Sequence, residues 1–354
     1  MSIPIFTMMV GLPGSGKSTY AEKLSKERSA IICSSDKVRE DLYGDENSQS
    51  NNDEVFKLLH KRIKELLKAG ESVIYDATNI NSKRRRAFLS ELRSIPCKKI
   101  CVIMATSLKK CCRQNNSRSR TVPYEVIERM YKNWNTPYWF EGWDEIKVAS
   151  EYKLPNLIFC WLTDYMDFNQ QNPNHTLTLG KHSIEVGDYF PENSLLRDAG
   201  YLHDCGKPFT KSFNNSKGEE TNVAHYYQHH CVGAYDSLFY DYSEGVDRLD
   251  GSILINLHMM PYFWEKDKEY GEKTRLKYKK LWGEELYNNV MKLHEAVEWC
   301  QQHGLEFDAI NENLPETLEW LGGTESRKIH ADVFIDDKAV NKPKYCVPYK
   351  ECTM

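Results

Sequence analysis

The 354-residue sequence has no apolar run near the roughly 18 residues of a membrane span, so no membrane partner is expected. Its apolar first residues lack the basic flank and small-residue cleavage site of a secretory signal, and a cytoplasmic location is expected. There are 11 cysteines, an odd number, without one Cys-x-x-Cys pair, so neither a disulfide framework nor a zinc ribbon is indicated and reduced thiols are expected. Net charge is only −4, too small to imply a nucleic-acid partner if the charge were evenly spread. Low hydrophobicity does not make the chain disordered, because 40% apolar and 28% charged residues is the balance of a folded protein. The length predicts two domains and an appendage.

The charge is uneven. Between Lys83 and Lys132 stand 14 Lys or Arg against three acids, Glu91, Glu125 and Glu128. Such a stretch suits a phosphate backbone, although basic stretches are commonly solvated helix faces.

A β-rich run at residues 3–10 precedes Gly11-Leu12-Pro13-Gly14-Ser15-Gly16-Lys17-Ser18, and helical character follows from Thr19. Strand, glycine-rich loop and helix in that order form a phosphate-binding loop. Gly11, Gly14, Ser15, Gly16 and Thr19 contribute backbone N–H groups, Lys17 reaches the β- and γ-phosphates, and Ser18 ligates Mg²⁺, so ATP and Mg²⁺ are the expected cofactors. Helical spacing at residues 54–69 stops at Gly70, a strand at 72–75 delivers Asp76, Ser82 can cap a helix, and residues 100–104 form another strand. Alternating strands and helices predict a parallel sheet with ligands at its carboxyl edge.

Together the loop, the segment Ser34-Ser35-Asp36-Lys37-Val38-Arg39, the segment Asp76-Ala77-Thr78-Asn79 with Arg84, residues 113–130 and the run from Glu141 through Trp143 to Ile146 resemble the phage-type polynucleotide 5′-hydroxyl kinase family. That resemblance implies Asp36 as general base, Arg39, Asp76, Asn79 and Arg84 as substrate-binding residues, and Arg118 or Arg120 as the group over the transferring phosphate. A bare Asp36 in a Ser-rich loop could instead be a helix cap.

Further on, His182, the pair His203-Asp204 with Lys207, and His225-Tyr226-Tyr227-Gln228-His229-His230 resemble the all-helical HD-domain metal phosphohydrolases. The implied divalent metal (Mn²⁺, Mg²⁺, Ni²⁺ or similar) is held by His182, His203 and Asp204, with His225, His229 and His258 as weaker candidates, and Lys207 contacts the phosphate. Gln228-His229-His230 stands where that family often has Gly-His-Glu, and Val297 where its last aspartate falls, so a carboxylate such as Glu298 substitutes or the centre is impaired. Residues 307–311, Ser326, Lys328 and Asp336-Asp337 resemble the second half of a haloacid-dehalogenase-type phosphatase. The Asp-x-Asp that carries that family's nucleophile occurs nowhere in the chain.

The predicted architecture is an α/β P-loop kinase domain with a parallel sheet flanked by helices (1–152), an all-α HD domain (153–296) and a small α/β appendage (297–354). The predicted function is ATP-dependent phosphorylation of nucleic-acid 5′-hydroxyl ends, RNA being expected, coupled to removal of 3′-phosphate or 2′,3′-cyclic phosphate, with a separate ligase as partner. Two alternatives stand beside it: a small-molecule or nucleoside kinase fused to a nucleotide phosphohydrolase, and an ATP-gated nucleic-acid-binding module with an inactive HD domain.

Overall fold

In the computed structural model, residues 3–45, 51–118, 121–150 and 156–303 are described. Five strands, β1 (Ile5–Val10), β2 (Ile31–Ser34), β3 (Val73–Asp76), β4 (Lys98–Ala105) and β5 (Glu145–Ser150), form one sheet in the order β2-β3-β1-β4-β5, every pairing parallel. Alternate residues feed opposite faces. Phe6, Met8, Val10, Tyr75, Cys101 and Ile103 join the larger core, whereas Met9, Ile74, Ile100, Val102 and Met104 pack with Ala21 and Leu24. Such two-sided burial requires helices on both sides, because a parallel sheet cannot leave a face to water.

Those helices are α1 (Lys17–Arg28), α2 (Ser35–Tyr43), α3 (Asn52–Lys68), α4 (Ser82–Glu91), α5 (Leu108–Asn116) and α6 (Tyr124–Lys132). Gly70, at φ 87°, ends the α3 turn as expected. The cap of α4 differs from expectation: Asn81 accepts from the Arg84 N–H at 3.0 Å, while the Ser82 hydroxyl donates to Glu141 at 2.6 Å. Strand β5, not among the expected elements although Glu145-Ile146-Lys147-Val148 alternates polar and apolar residues, pairs with the edge of β4.

The remaining described residues are mainly helical, as expected: α7 (Ile158–Asp164), α8 (Leu179–Asp188), α9 (Leu195–Leu202), α10 (Lys207–Thr210), α11 (His229–Asp236), α12 (Arg248–Leu257), α13 (Met260–Lys266), α14 (Gly271–Trp282) and α15 (Glu284–His303). Two small sheets add to it, Ser212–Asn214 against Glu220–His225 and Asn156–Leu157 beside Tyr240–Asp241. Helix α15 runs without a break through 296 and 297, the expected domain boundary. The appendage from 304 onward lies outside the described residues. No described helix is long and apolar enough to cross a membrane.

The sheet and the helical region share one core. Tyr235 of α11 packs edge-on to Tyr131 (5.4 Å) and Trp134 (4.8 Å). Asn256 of α12 accepts from the Thr136 N–H at 3.3 Å and donates to the Trp134 carbonyl oxygen at 3.3 Å. Thr136 and Ser252 share a hydroxyl hydrogen bond of 2.8 Å.

Candidate functional site

Two centres emerge. The first lies at the carboxyl edge of the sheet, where the strand order reverses about β1. Gly14 (φ 76°) and Gly16 (φ 85°) adopt the left-handed region, and a Cβ at Gly14 would stand 2.2 Å from the Cys111 carbonyl oxygen. Only glycine closes that turn. Helix α1 begins at Lys17 with no side-chain cap, which leaves its first N–H groups open to an anion. The Lys17 ammonium donates to the carbonyl oxygens of Gly11 (3.0 Å) and Leu12 (2.7 Å), and burial pushes its pKa down to about 8.

Asp76, at the end of β3, is hydrogen-bonded to Ser18 and close to Lys17. Burial raises its pKa and the Lys17 charge opposes the rise. A carboxylate beside the loop serine has the oxygen donors that suit Mg²⁺. Asp36 stands on the first turn of α2. The cap there is Ser34, whose hydroxyl accepts from the Asp36 N–H at 3.2 Å, so the cap reading of Asp36 is answered by its neighbour. Its carboxylate, about half exposed, accepts from Arg39 at 2.8 Å and is close enough to act on the charges of Lys17 and Asp76.

Arg39 is 6% exposed and spans from Asp36 to Asn52 (2.9 Å), which makes it a clamp on Asp36. Asn79, at φ 47°, donates to the Met9 carbonyl oxygen at 2.9 Å and ties its loop to the strand ahead of the phosphate loop. Arg84 is exposed on α4, and Arg118 is exposed yet acts electrostatically on Lys17. Arg120 lies outside the described residues.

The missed residue is Arg85. Fully buried, it donates to both carboxylate oxygens of Glu141 (2.8 and 2.7 Å) and to the carbonyl oxygens of Asn79 (2.8 Å), Asn135 (3.0 Å) and Thr136 (3.3 Å). Each of its three guanidinium nitrogens has an acceptor. Nothing local marks it among its basic neighbours, since Glu141 is 56 positions away.

The second centre is in the helical region. His182, His203, Asp204, Lys207, His229 and His258 are each less than a tenth exposed. The Nε2 atoms of His182 and His203 are 3.2 Å apart, as are those of His229 and His258. Asp204 joins the two groups, at 3.1 Å from His203 and 3.2 Å from His229. The Nδ1 atoms of His203, His229 and His258 lie 2.7–2.8 Å from the carbonyl oxygens of Gly200, Tyr226 and Ile255. A carbonyl only accepts, so each Nδ1 carries a proton and each Nε2 faces the centre.

A cation between two such nitrogens would take a lone pair from each. Burial holds His182 and His258 well below the ordinary imidazole pKa, in the neutral, ligating form. Burial works against the charge on Asp204, yet His203 and Lys207 beside it keep its carboxyl well below the usual carboxylate range. The donor set fits divalent cations, His182, His203 and Asp204 forming one candidate ligand group and Asp204, His229 and His258 another.

His258, rated weak from sequence, is among the ligand candidates. His225 is not; its Nε2 lies 3.3 Å from the Thr221 hydroxyl and its ring stacks on Tyr227. Lys207 bonds Asp204 at 2.6 Å and Gln170 at 2.8 Å. Val297 lines the neighbouring cavity without belonging to either ligand group, and Glu298 pairs instead with His294 at 3.5 Å.

A family model described as an AAA domain matches residues 6–137. That segment holds the phosphate loop, Asp36, Asp76 and Arg85. The L-seryl-tRNA(Sec) kinase of Methanococcus maripaludis is 29% identical over 160 residues, covering 42% of this chain; the chain spans 60% of that relative's length. Among solved structures, a gluconokinase from Sinorhizobium meliloti 1021 is 15% identical over 42% of this chain and 84% of that one, with a TM-score of 0.31. A chain of the Pnkp1/Rnl/Hen1 RNA repair complex is 22% identical over 38% of this chain and 44% of that one, with a TM-score of 0.33. The N-terminal region is thus a parallel sheet flanked by helices of the P-loop kinase type.

Proposed function

We propose that the chain is a nucleic-acid end-processing enzyme, in which the P-loop centre phosphorylates a polynucleotide 5′-hydroxyl, that of RNA, with ATP, and the histidine–aspartate centre is an HD-type phosphohydrolase for 3′-phosphate or 2′,3′-cyclic phosphate ends. The observation that carries the reading is Asp36. Its carboxylate is half exposed at the sheet's carboxyl edge, clamped by Arg39 and in electrostatic reach of Lys17.

In this reading Asp36 accepts the proton of the incoming hydroxyl while the hydroxyl oxygen bonds to the γ-phosphorus. The bond from that phosphorus to the β–γ bridging oxygen breaks, and ADP leaves. Lys17 and Arg118 offset the charge gathering on the phosphoryl oxygens. Ser18 and Asp76 would hold Mg²⁺, which supplies charge neutralisation between the phosphates. At the other centre, divalent cations held by the four histidines and Asp204 would supply Lewis acidity toward a phosphate oxygen. Lys207 fixes the orientation of Asp204. A relative named as a kinase of an aminoacyl-tRNA supports a hydroxyl carried on a large RNA as acceptor, and the basic stretch of residues 83–132 supports a polyanionic substrate.

Incubation with γ-labelled ATP and a 5′-hydroxyl oligoribonucleotide should transfer label, and Asp36→Asn should abolish the transfer while nucleotide binding persists. Label appearing on a free nucleoside or sugar, and not on the oligonucleotide, would replace this reading by that of a small-molecule kinase.

A further inference from the structure

Beside the histidine–aspartate centre opens a cavity of about 640 Å³, with His203, Asp204 and Lys207 among its lining residues. Its other walls carry an unusual surplus of aromatic rings. Tyr227, Tyr262 and Phe263 line it and are 48%, 38% and 47% exposed. Rings of that size are ordinarily buried, since each removes about 150–250 Å² from water when covered. The chain can bury a ring in this region: Tyr226, the immediate neighbour, is 9% exposed and donates its hydroxyl to the Gln170 carbonyl oxygen.

The rings are also ordered. His225 and Tyr227 lie face to face, with centroids 5.4 Å apart and planes 10° from parallel. Tyr262 and Phe263, from α13, meet near edge-on at 5.9 Å, and Phe263 leans on His230 at 6.3 Å. Lys266 stands 4.1 Å from the Tyr262 ring centroid, a cation at the same wall. A parallel ring pair, further exposed rings and a cation around a phosphate-directed floor fit a planar heteroaromatic group carried on a phosphate.

We propose that this cavity is a nucleobase-stacking subsite, in which Tyr227 and Phe263 take the base of a nucleoside 3′-phosphate whose phosphate lies toward Lys207 at the histidine–aspartate centre. The assignment deepens, and for the identity of the phosphate end rests on, the reading of this centre as a phosphohydrolase. It makes the last base, not only the phosphate, part of what is recognised. The shared chemistry, nucleoside plus phosphate, occurs in a free mononucleotide and at a strand terminus.

The test is calorimetric binding to the full chain in Mn²⁺, with a non-hydrolysable ATP analogue filling the phosphate loop. The probes are the slowly hydrolysed adenosine 3′-thiophosphate, ribose 3-thiophosphate and an oligoribonucleotide 3′-thiophosphate. The base should tighten binding about 10-fold or more over ribose alone. Tyr227→Ala and Phe263→Ala should each remove most of that gain, and Tyr227→Phe should keep it, which separates loss of stacking from loss of folding. Tighter binding of the oligonucleotide than of the nucleotide identifies a strand end; equal binding identifies the free nucleotide.

Equal affinity with and without the base, or indifference to Tyr227→Ala, overturns the proposal. Phosphate release tells the two readings apart. A chain that hydrolyses abasic and base-bearing 3′-phosphate ends at the same rate keeps its phosphohydrolase assignment and loses the subsite. One that hydrolyses neither, yet binds the base through Tyr227, keeps the subsite and loses the hydrolase.

Discussion

The Tyr235 hydroxyl donates to the main-chain oxygen of Thr106 at 2.6 Å, and the Thr106 hydroxyl in turn donates to the main-chain oxygen of Ser15 at 3.0 Å. Ser15 belongs to the phosphate loop, and Tyr235 lies one residue from the end of the helix that opens with His229. Two hydrogen bonds through one threonine therefore connect the loop to the element that carries a ligand candidate of the other centre.

Because the junction is buried and shared, we expect the regions to unfold together. Tyr235→Phe removes the hydroxyl donor from the Thr106 carbonyl oxygen, which keeps the Cys111 thiol at 3.3 Å, and should cost about 0.5–1.5 kcal/mol. Denaturant titration should show one cooperative transition with a lowered midpoint. Two well-separated transitions in the unaltered chain would contradict the common core.

Arg85 and Glu141 should behave as a unit. Removing one partner strands a buried charge, so Glu141→Ala or Arg85→Ala should cost about 3–5 kcal/mol. Replacing both with apolar residues of similar volume should cost less than the sum of the single changes. A double-mutant cycle by thermal unfolding measures the difference, and additive losses would show that the pair is not coupled.

Lys17 gives a pH signature. Burial holds its pKa near 8, and a bound triphosphate favours the charged form, so binding raises that pKa. Nucleotide affinity should therefore fall as pH rises through 8, with proton uptake on binding at pH 8.5. Calorimetry in buffers of different ionisation heat reads the uptake, which Lys17→Met should eliminate.

Metal content checks the second centre directly. Elemental analysis after dialysis against Mn²⁺ should find up to two ions per chain. Asp204→Ala should lose both, His258→Ala should lower the content, and His225→Ala should leave it unchanged. A full complement in His258→Ala would remove that residue from the ligand set.

The sequence by itself determined whatever rests on neighbouring residues. The phosphate loop, its flanking strand and helix, the carboxyl-end placement of Asp76 and the apolar lead-in to His203 are short-range patterns of backbone freedom and periodicity, and they were legible as such. The tertiary structure alone decided which distant groups meet. It turned Arg85 inward from a basic stretch to Glu141, brought Asp76 to Ser18, used Arg39 to hold Asp36, and set His258 against His229 across 29 positions while leaving His225 on a neighbouring wall. The physical reason is that a charge or a lone pair acts through space: its partner is set by how helices and strands pack, and sequence spacing carries no record of that once the chain has turned back on itself.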